Sequence, residues 1–167
     1  MTRGKITIYQ PEEVVGVRAA AQASAMVLKR LCDAVTPGMT TADVDHLAEE
    51  FIRDTGGKSA FLGYQGYPGQ ICVSINDEVV HGIGRADRVI APGDIVSLDV
   101  GVTLGGYVGD NARSICVGQD ATGVVADLLR ATEEALAAGI EQARDGNCVN
   151  DIGRAVEQVA KRAGFSV

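Results

Sequence analysis

The stretch "DIVSLDVGVTLGGYVGDNARS" runs from residue 94 to residue 114. It reads as an apolar β-hairpin, yet Asp99 and Asp110 stand where valines would be expected. Taking Leu104-Gly105 as a two-residue loop sets Thr103 against Gly106 and Asp99 directly opposite Asp110. Directly opposed residues have Cβ atoms about 4.5–5.5 Å apart. Leucine is a poor first residue for the primed turns that hairpins favour, and a bulged or longer loop would shift the pair by a residue or two.

Two like charges facing each other across strands are destabilising. Three arrangements relieve them. One carboxyl keeps its proton, both point into solvent, or a divalent cation sits between them. The residues alone leave these three open.

His81 is the next candidate. It follows the apolar "EVV" and precedes "GIG", which places it at the end of a strand. There it can donate a hydrogen bond to a developing charge or shuttle a proton, or it can be an ordinary packed or surface histidine. "HGIGR" lacks the lysine spacing of a phosphate loop. Upstream, "FLGYQGYPGQIC" (61–72) gathers Phe61, Tyr64 and Tyr67 among glycines, out of three phenylalanines and four tyrosines in the chain. That concentration suggests an apolar pocket wall, the alternative being turn residues packed on a core edge.

Around this β-rich centre the period changes to that of helices. Residues 11 to 35 form an expected helix, with Val14, Val17, Ala21, Ala25, Leu28, Leu31 and Val35 as its stripe. Pro11 suits its first turn, and Glu12 and Glu13 suit the positive end of its dipole. Thr40 and Asp43 resemble a capping box for a second helix, striped by Val44, Leu47, Ala48, Phe51 and Ile52. Strands are expected over 71–76, 78–82, 94–101 and 107–118. Helices return from about 121, one marked by Val125, Leu128, Leu129, Thr132, Leu136 and Ile140, the next by Ile152, Ala155, Val156, Val159 and Ala160.

That last stripe is the second helix's stripe moved by 108 positions. The same shift carries Gly38 to Gly146, Asp43 to Asp151 and Gly56 to Gly164. A helix–turn–helix unit is thus expected twice. The first copy runs on into about 60 residues of β-rich chain, whereas the second stops at "GFSV". The chain is therefore expected to be cut short.

At 167 residues, 46% hydrophobic and 22% charged, the sequence fits one globular domain. Its net charge of −7 argues against nucleic acid or an anionic membrane as the main partner. No apolar run approaches a membrane span and the N-terminus has no signal-type core, which places the protein in the cytoplasm. Cys32, Cys72, Cys116 and Cys148 are scattered, forming neither a disulfide framework nor a zinc knuckle.

Together, "FLGYQGYPGQICVSINDEVVHGIG", "DIVSLDVGV" and "YVGDNARSICVG" resemble type I methionine aminopeptidase, over essentially the whole chain. The resemblance implies the α/β pita-bread fold, with a first pseudo-symmetric half over 11–118 and the start of a second over 121–167, in a single incomplete domain. It implies two divalent metal ions (Co, Mn, Fe or Zn) touched by Asp99 and Asp110, and His81 as a catalytic residue near the scissile amide. Phe61, Tyr64, Tyr67, Cys72 and His81 would line the methionine site. The implied activity is hydrolytic removal of N-terminal methionine from nascent proteins, with the ribosome as a further candidate partner.

Departures accompany it. Phe61 stands where cysteine is frequent, Gln65 where histidine is frequent, and Asn111 where threonine is usual; these are expected to alter the pocket and its surroundings. The family's three remaining metal ligands, a histidine and two glutamates, would lie beyond Val167, and His46 is no substitute for them. A non-catalytic pita-bread module that binds peptide or protein is the alternative reading, and a proline-specific pita-bread peptidase a third.

Overall fold

The computed structural model describes residues 7–167. Two compact units make it up, one ending at Gln119 and the other starting at Asp120.

The first unit opens with α1 (Pro11–Ala34). Pro11 occupies its first turn, and the Glu13 carboxylate accepts a hydrogen bond from the Gln10 amide at 2.8 Å, closing a capping box. Its buried face is Ala20, Ala23, Ser24, Val27, Leu28 and Leu31. The expected stripe holds at Leu28, Leu31 and Val35, whereas Val14 and Ala25 are exposed. The helix already approaches the sheet at Gly16, where a Cβ would fall 2.2 Å from the Tyr107 ring. The second helix, α2 (Thr41–Asp54), begins at the expected capping box, with the Thr40 hydroxyl accepting from the Asp43 amide and the Asp43 carboxylate accepting from the Thr40 amide. Val44, Ala48 and Ile52 are buried along it, flanked by half-buried Leu47 and Phe51.

Both helices cover one face of an antiparallel sheet. Its strands are β1 (Lys58–Ser59), β2 (Cys72–Ile75), β3 (Ile95–Leu104) and β4 (Tyr107–Cys116). The central strand is β3. Along one edge it pairs with all of β4; along the other it pairs with β1 near its end and β2 near its start. Val96, Leu98, Val100 and Val102 alternate toward the helices and are fully buried, joined by Val73 and Ile75 of β2. Ser97, Asp99 and Gly101 face the other way.

The hairpin register differs from the expected one. Leu104 pairs with Tyr107, so the loop is Gly105-Gly106 rather than Leu104-Gly105. Both glycines have positive φ, 59° and 86°, the geometry of a type I′ turn, which leucine would enter only with strain. Asp110 therefore faces Gly101, and Asp99 faces Ala112. The two aspartates stay on one face but are diagonal neighbours, about 7–8 Å apart for such positions rather than the directly opposed spacing.

The segment 78–82, expected as a strand, is irregular. Val79 and Val80 are 87% and 61% exposed, so their β-propensity has no partner to pack against.

The second unit is a helix pair, α3 (Gly123–Gln142) and α4 (Val149–Arg162). They meet through small residues: Ala131, Ala135 and Gly139 are buried at intervals of four, and a Cβ on Gly139 would sit 3.1 Å from Val156. The expected apolar stripe of α3 is not its buried line, since Leu128, Leu136 and Ile140 are exposed. The close approach of α4 selects small side chains, not large ones. On α4 the expected line holds, with Val159 and Ala160 buried and Ile152, Ala155 and Val156 partly so.

The 108-residue shift carries α2 onto α4 residue for residue, both 14 long. Cys148 and Asp151 form a capping box where Thr40 and Asp43 do, and Gly38 and Gly146 share φ near 90° (93° and 89°). Among the described residues no helix is long and apolar enough to cross a membrane.

Candidate active site

On the sheet face away from the helices the first unit holds a cavity of about 530 Å³. That is within the usual range for small-molecule sites. Its lining includes Phe61, Tyr64, Tyr67, Cys72, His81, Asp99 and Asp110. Every residue singled out from the sequence as a site candidate is thus at one cavity.

The floor comes from the sheet. Asp99 on β3 sits between Cys72 of β2 and Ala112 of β4. Asp110 on β4 faces Gly101, and the missing side chain there is what admits Phe61. A Cβ on Gly101 would fall 2.4 Å from Phe61 Cε1, so the phenylalanine ring lies over this glycine, beside the acids.

The wall is the loop from Ser59 to Ile71. The Ser59 hydroxyl donates to the Gln70 carbonyl at 2.6 Å and accepts from the amides of Phe61 and Leu62, both at 3.0 Å, tying the two ends of the loop together. From α2, Asp45 Oδ1 accepts from the amides of Gln70 (2.8 Å) and Ile71 (3.0 Å). Gln65 at the rim has φ 50°, and its side-chain amide donates to the Tyr64 hydroxyl at 3.2 Å.

The third side is His81, exposed and with φ 60°. It follows an irregular segment rather than ending a strand. Ile83, two residues on, also lines the cavity.

The electrostatics centre on Asp99. Its Oδ1 is buried and has no hydrogen-bond partner among the described residues. Burial, and after it the Asp110 carboxylate, push Asp99 up to about 6, while the His81 charge pulls the other way. Burial also raises the Cys72 thiol, which makes it an inert wall residue rather than a nucleophile. The Tyr67 phenol is raised, first by burial and then by its contact with Cys72.

A carboxylate oxygen taken out of water with nothing to hold it is costly, and a cation is the partner that its charge and lone pairs best suit. Asp99 and Asp110 fit as two oxygen ligands of such an ion. Among the described residues no group of three or more His, Cys, Asp or Glu comes together, so these two supply only part of a coordination shell. His46 is exposed on α2.

Asn111 corrects one expectation. It points to the helix side of the sheet, where its Nδ2 donates to the Ser24 hydroxyl at 3.0 Å. It alters the core, not the cavity, because successive residues on a strand alternate faces.

Sequence reasoning missed Asp45, Ser59, Ser74 and Ile83. Asp45 on a helix looks like any solvated acid, and nothing local marks Ser59 or Ser74; the contacts that tie them to the site, to Gln70, Ile71 and Gly82, span 8 to 26 residues. Ile83 stands in "HGIG", a lone apolar residue between glycines that nothing local marks as a cavity wall.

The profile of metallopeptidase family M24 matches residues 15–167. The chain belongs to metallopeptidase family M24. With membership comes dependence on divalent metal. Among known relatives, the chain is 40% identical over 162 residues to a methionine aminopeptidase of Clostridium acetobutylicum, covering 97% of this chain and 64% of that protein. To a methionine aminopeptidase of Treponema pallidum it is 44% identical over 162 residues, covering 97% and 62%. The crystal structure of methionine aminopeptidase from Rickettsia prowazekii superimposes with a TM-score of 0.93 at 37% identity, over 98% of this chain and 65% of that one. The M24 chain described here thus has the expected α/β pita-bread fold and spans a little under two thirds of these relatives' length.

Proposed function

We propose that this M24 chain carries the substrate wall and two metal ligands of a methionine aminopeptidase, which removes N-terminal methionine from nascent proteins. The observation that carries the reading is Asp99 Oδ1, buried without a partner among the described residues on the floor of a cavity walled by aromatics. The 40–44% identity to methionine aminopeptidases supports the choice of reaction.

In this reading Asp99 and Asp110 each bind divalent metal, as two ions of the Co, Mn, Fe or Zn class. Bound there, such ions acidify water at neutral pH and polarise the scissile carbonyl. Phe61, Tyr64, Tyr67 and Cys72 accept the unbranched thioether side chain, which fills an apolar slot and makes favourable sulfur–aromatic contacts. His81, at the cavity's edge, hydrogen-bonds the amide to be cut and holds or moves a proton there. Residues 11–118 form the first of two pseudo-symmetric halves and 121–167 begin the second; the 108-residue repeat supports that division. Nascent chains as substrates imply a cytoplasmic protein that works near the ribosome.

The test is hydrolysis of Met-Ala-X peptides with added Mn²⁺ or Co²⁺, with and without EDTA, alongside a screen of first residues. Metal-dependent release of methionine is expected when the rest of the coordination shell is supplied, since Asp99 and Asp110 are only part of it. A preference for proline-containing over methionine substrates would overturn the choice of substrate. The incomplete ligand set favours a second reading, a non-catalytic peptide-binding module; peptide binding that ignores EDTA, with no turnover, would select it.

A further inference from the structure

His81 stands with φ 60° in the left-handed region. Non-glycine residues enter that region uncommonly, and histidine there persists when the surrounding structure enforces it. The enforcement is visible one residue on. Gly82 has all of its backbone hydrogen-bonding capacity taken up. Its N–H donates to the Ser74 hydroxyl at 3.0 Å. Its carbonyl accepts from the Val73 amide at 2.9 Å and from the Tyr67 hydroxyl at 2.8 Å. The Tyr67 oxygen also lies 3.0 Å from the Ile71 carbonyl, so it spans the aromatic loop and the segment after His81. The approach of Gly82 to β2 leaves no room for a side chain, because a Cβ there would fall 2.2 Å from the Val73 oxygen. A chain drawn this tightly onto β2 must turn sharply just before it, and His81 is the residue that turns.

Ser74 is 3% exposed on β2, two residues from Cys72 and on the same face. Buried hydroxyls usually satisfy themselves locally; this one reaches eight residues along the chain. We infer that Ser74 and Tyr67 are positioning residues for His81: their hydroxyls fix Gly82 and thereby hold the histidine left-handed at the cavity's edge. Tyr67 then has two separable parts, a ring that walls the cavity and a hydroxyl that sets the histidine. Neither hydroxyl needs to touch substrate for this. The consequence is a site whose proton-handling group is set in place before any peptide arrives, which is the condition for its full effect.

The test reads His81 directly. In isotope-labelled, metal-free protein, the three-bond HN–Hα coupling and the Cα and Cβ shifts of His81 report its backbone angle. Ser74→Ala and Tyr67→Phe are each expected to move them away from left-handed values, and Ser74→Thr, which keeps the hydroxyl, is expected not to. Tyr67→Phe retains the ring, so it decides the matter if Ser74→Ala does not fold.

The kinetic arm rests on the methionine aminopeptidase reading. In the metal-loaded enzyme Ser74→Ala should lower kcat about 10- to 100-fold with KM within about twofold. In a His81→Ala background the same change should cost nothing further. An unmoved His81 backbone in both single variants, or losses that multiply in the double variant, would overturn the inference. Absence of turnover by the wild type would count against the enzymatic reading alone, since the spectroscopic arm still judges the tie.

Discussion

On one face of β3, Val96, Leu98, Val100 and Val102 are fully buried in the core under α1. On the other, the same strand presents Ser97 to Ser114, Asp99 to the cavity and Gly101 to the Phe61 ring. The helix-side face is satisfied throughout: where it carries a polar group, Ser24 donates to the Val100 carbonyl at 2.7 Å and accepts from Asn111. The cavity face is not, for it holds Asp99 with a buried oxygen lacking a partner among the described residues. One face is built for stability and the other withholds it, and the unsatisfied position is the one suited to bind something.

That contrast is broken most strongly at the acids. Asp99→Asn or Asp110→Asn should lower metal-dependent peptide hydrolysis by more than about 100-fold, beyond the 10–100-fold loss typical for an outer partner of a metal ligand. Thermal unfolding of the metal-free protein should be no worse than wild type. A large loss of stability in both variants would show that the acids belong to the core's economy after all.

The mirror experiment is Leu98→Ala on the buried face. It should destabilise by about 2–5 kcal/mol in denaturant unfolding while leaving turnover per folded molecule intact. Ser24→Ala should cost less, about 1–3 kcal/mol, because it strands the Val100 carbonyl and the Asn111 amide without opening a large void.

The smallest effect is one of pH. In the metal-free protein the Asp99 carboxyl titrates near 6, above an unfolded value of about 3.9. The folded state therefore holds a proton that the unfolded chain has released. Its contribution to stability is fully present below about pH 3.9 and is lost as pH rises through about 6. Asp99→Asn lacks this titration. The stability of wild type relative to that variant should fall between these two pH values and level off above them, as followed by unfolding at each pH. A difference independent of pH would show that Asp99 is not held in the way described.

How far the sequence carried depended on the range of the forces involved. Helix starts were legible because their signals act within four residues: Pro11 falls in the first turn of α1 and Thr40 with Asp43 caps α2, as their positions suggest. The cavity residues were legible because Phe61, Tyr64 and Tyr67 share a short glycine-rich run and the two acids share a hairpin. The hairpin register was not, because it turns on which adjacent pair takes two positive φ angles, and Gly105-Gly106 takes them more cheaply than Leu104-Gly105. Nor was the path of 78–82, since "EVVHG" has strand-like residues but its course is set by Gly82 bonding to Val73 and Ser74. On α3 the large residues carry the helical period, yet the residues buried against the partner helix are Ala131, Ala135 and Gly139.

The most direct test of the central idea is anomalous diffraction from crystals of the protein soaked in Mn²⁺. A peak bonded to carboxylate oxygens of both Asp99 and Asp110 is the expected result. Carboxyl groups turned to water, with no peak between them at saturating Mn²⁺, would contradict it.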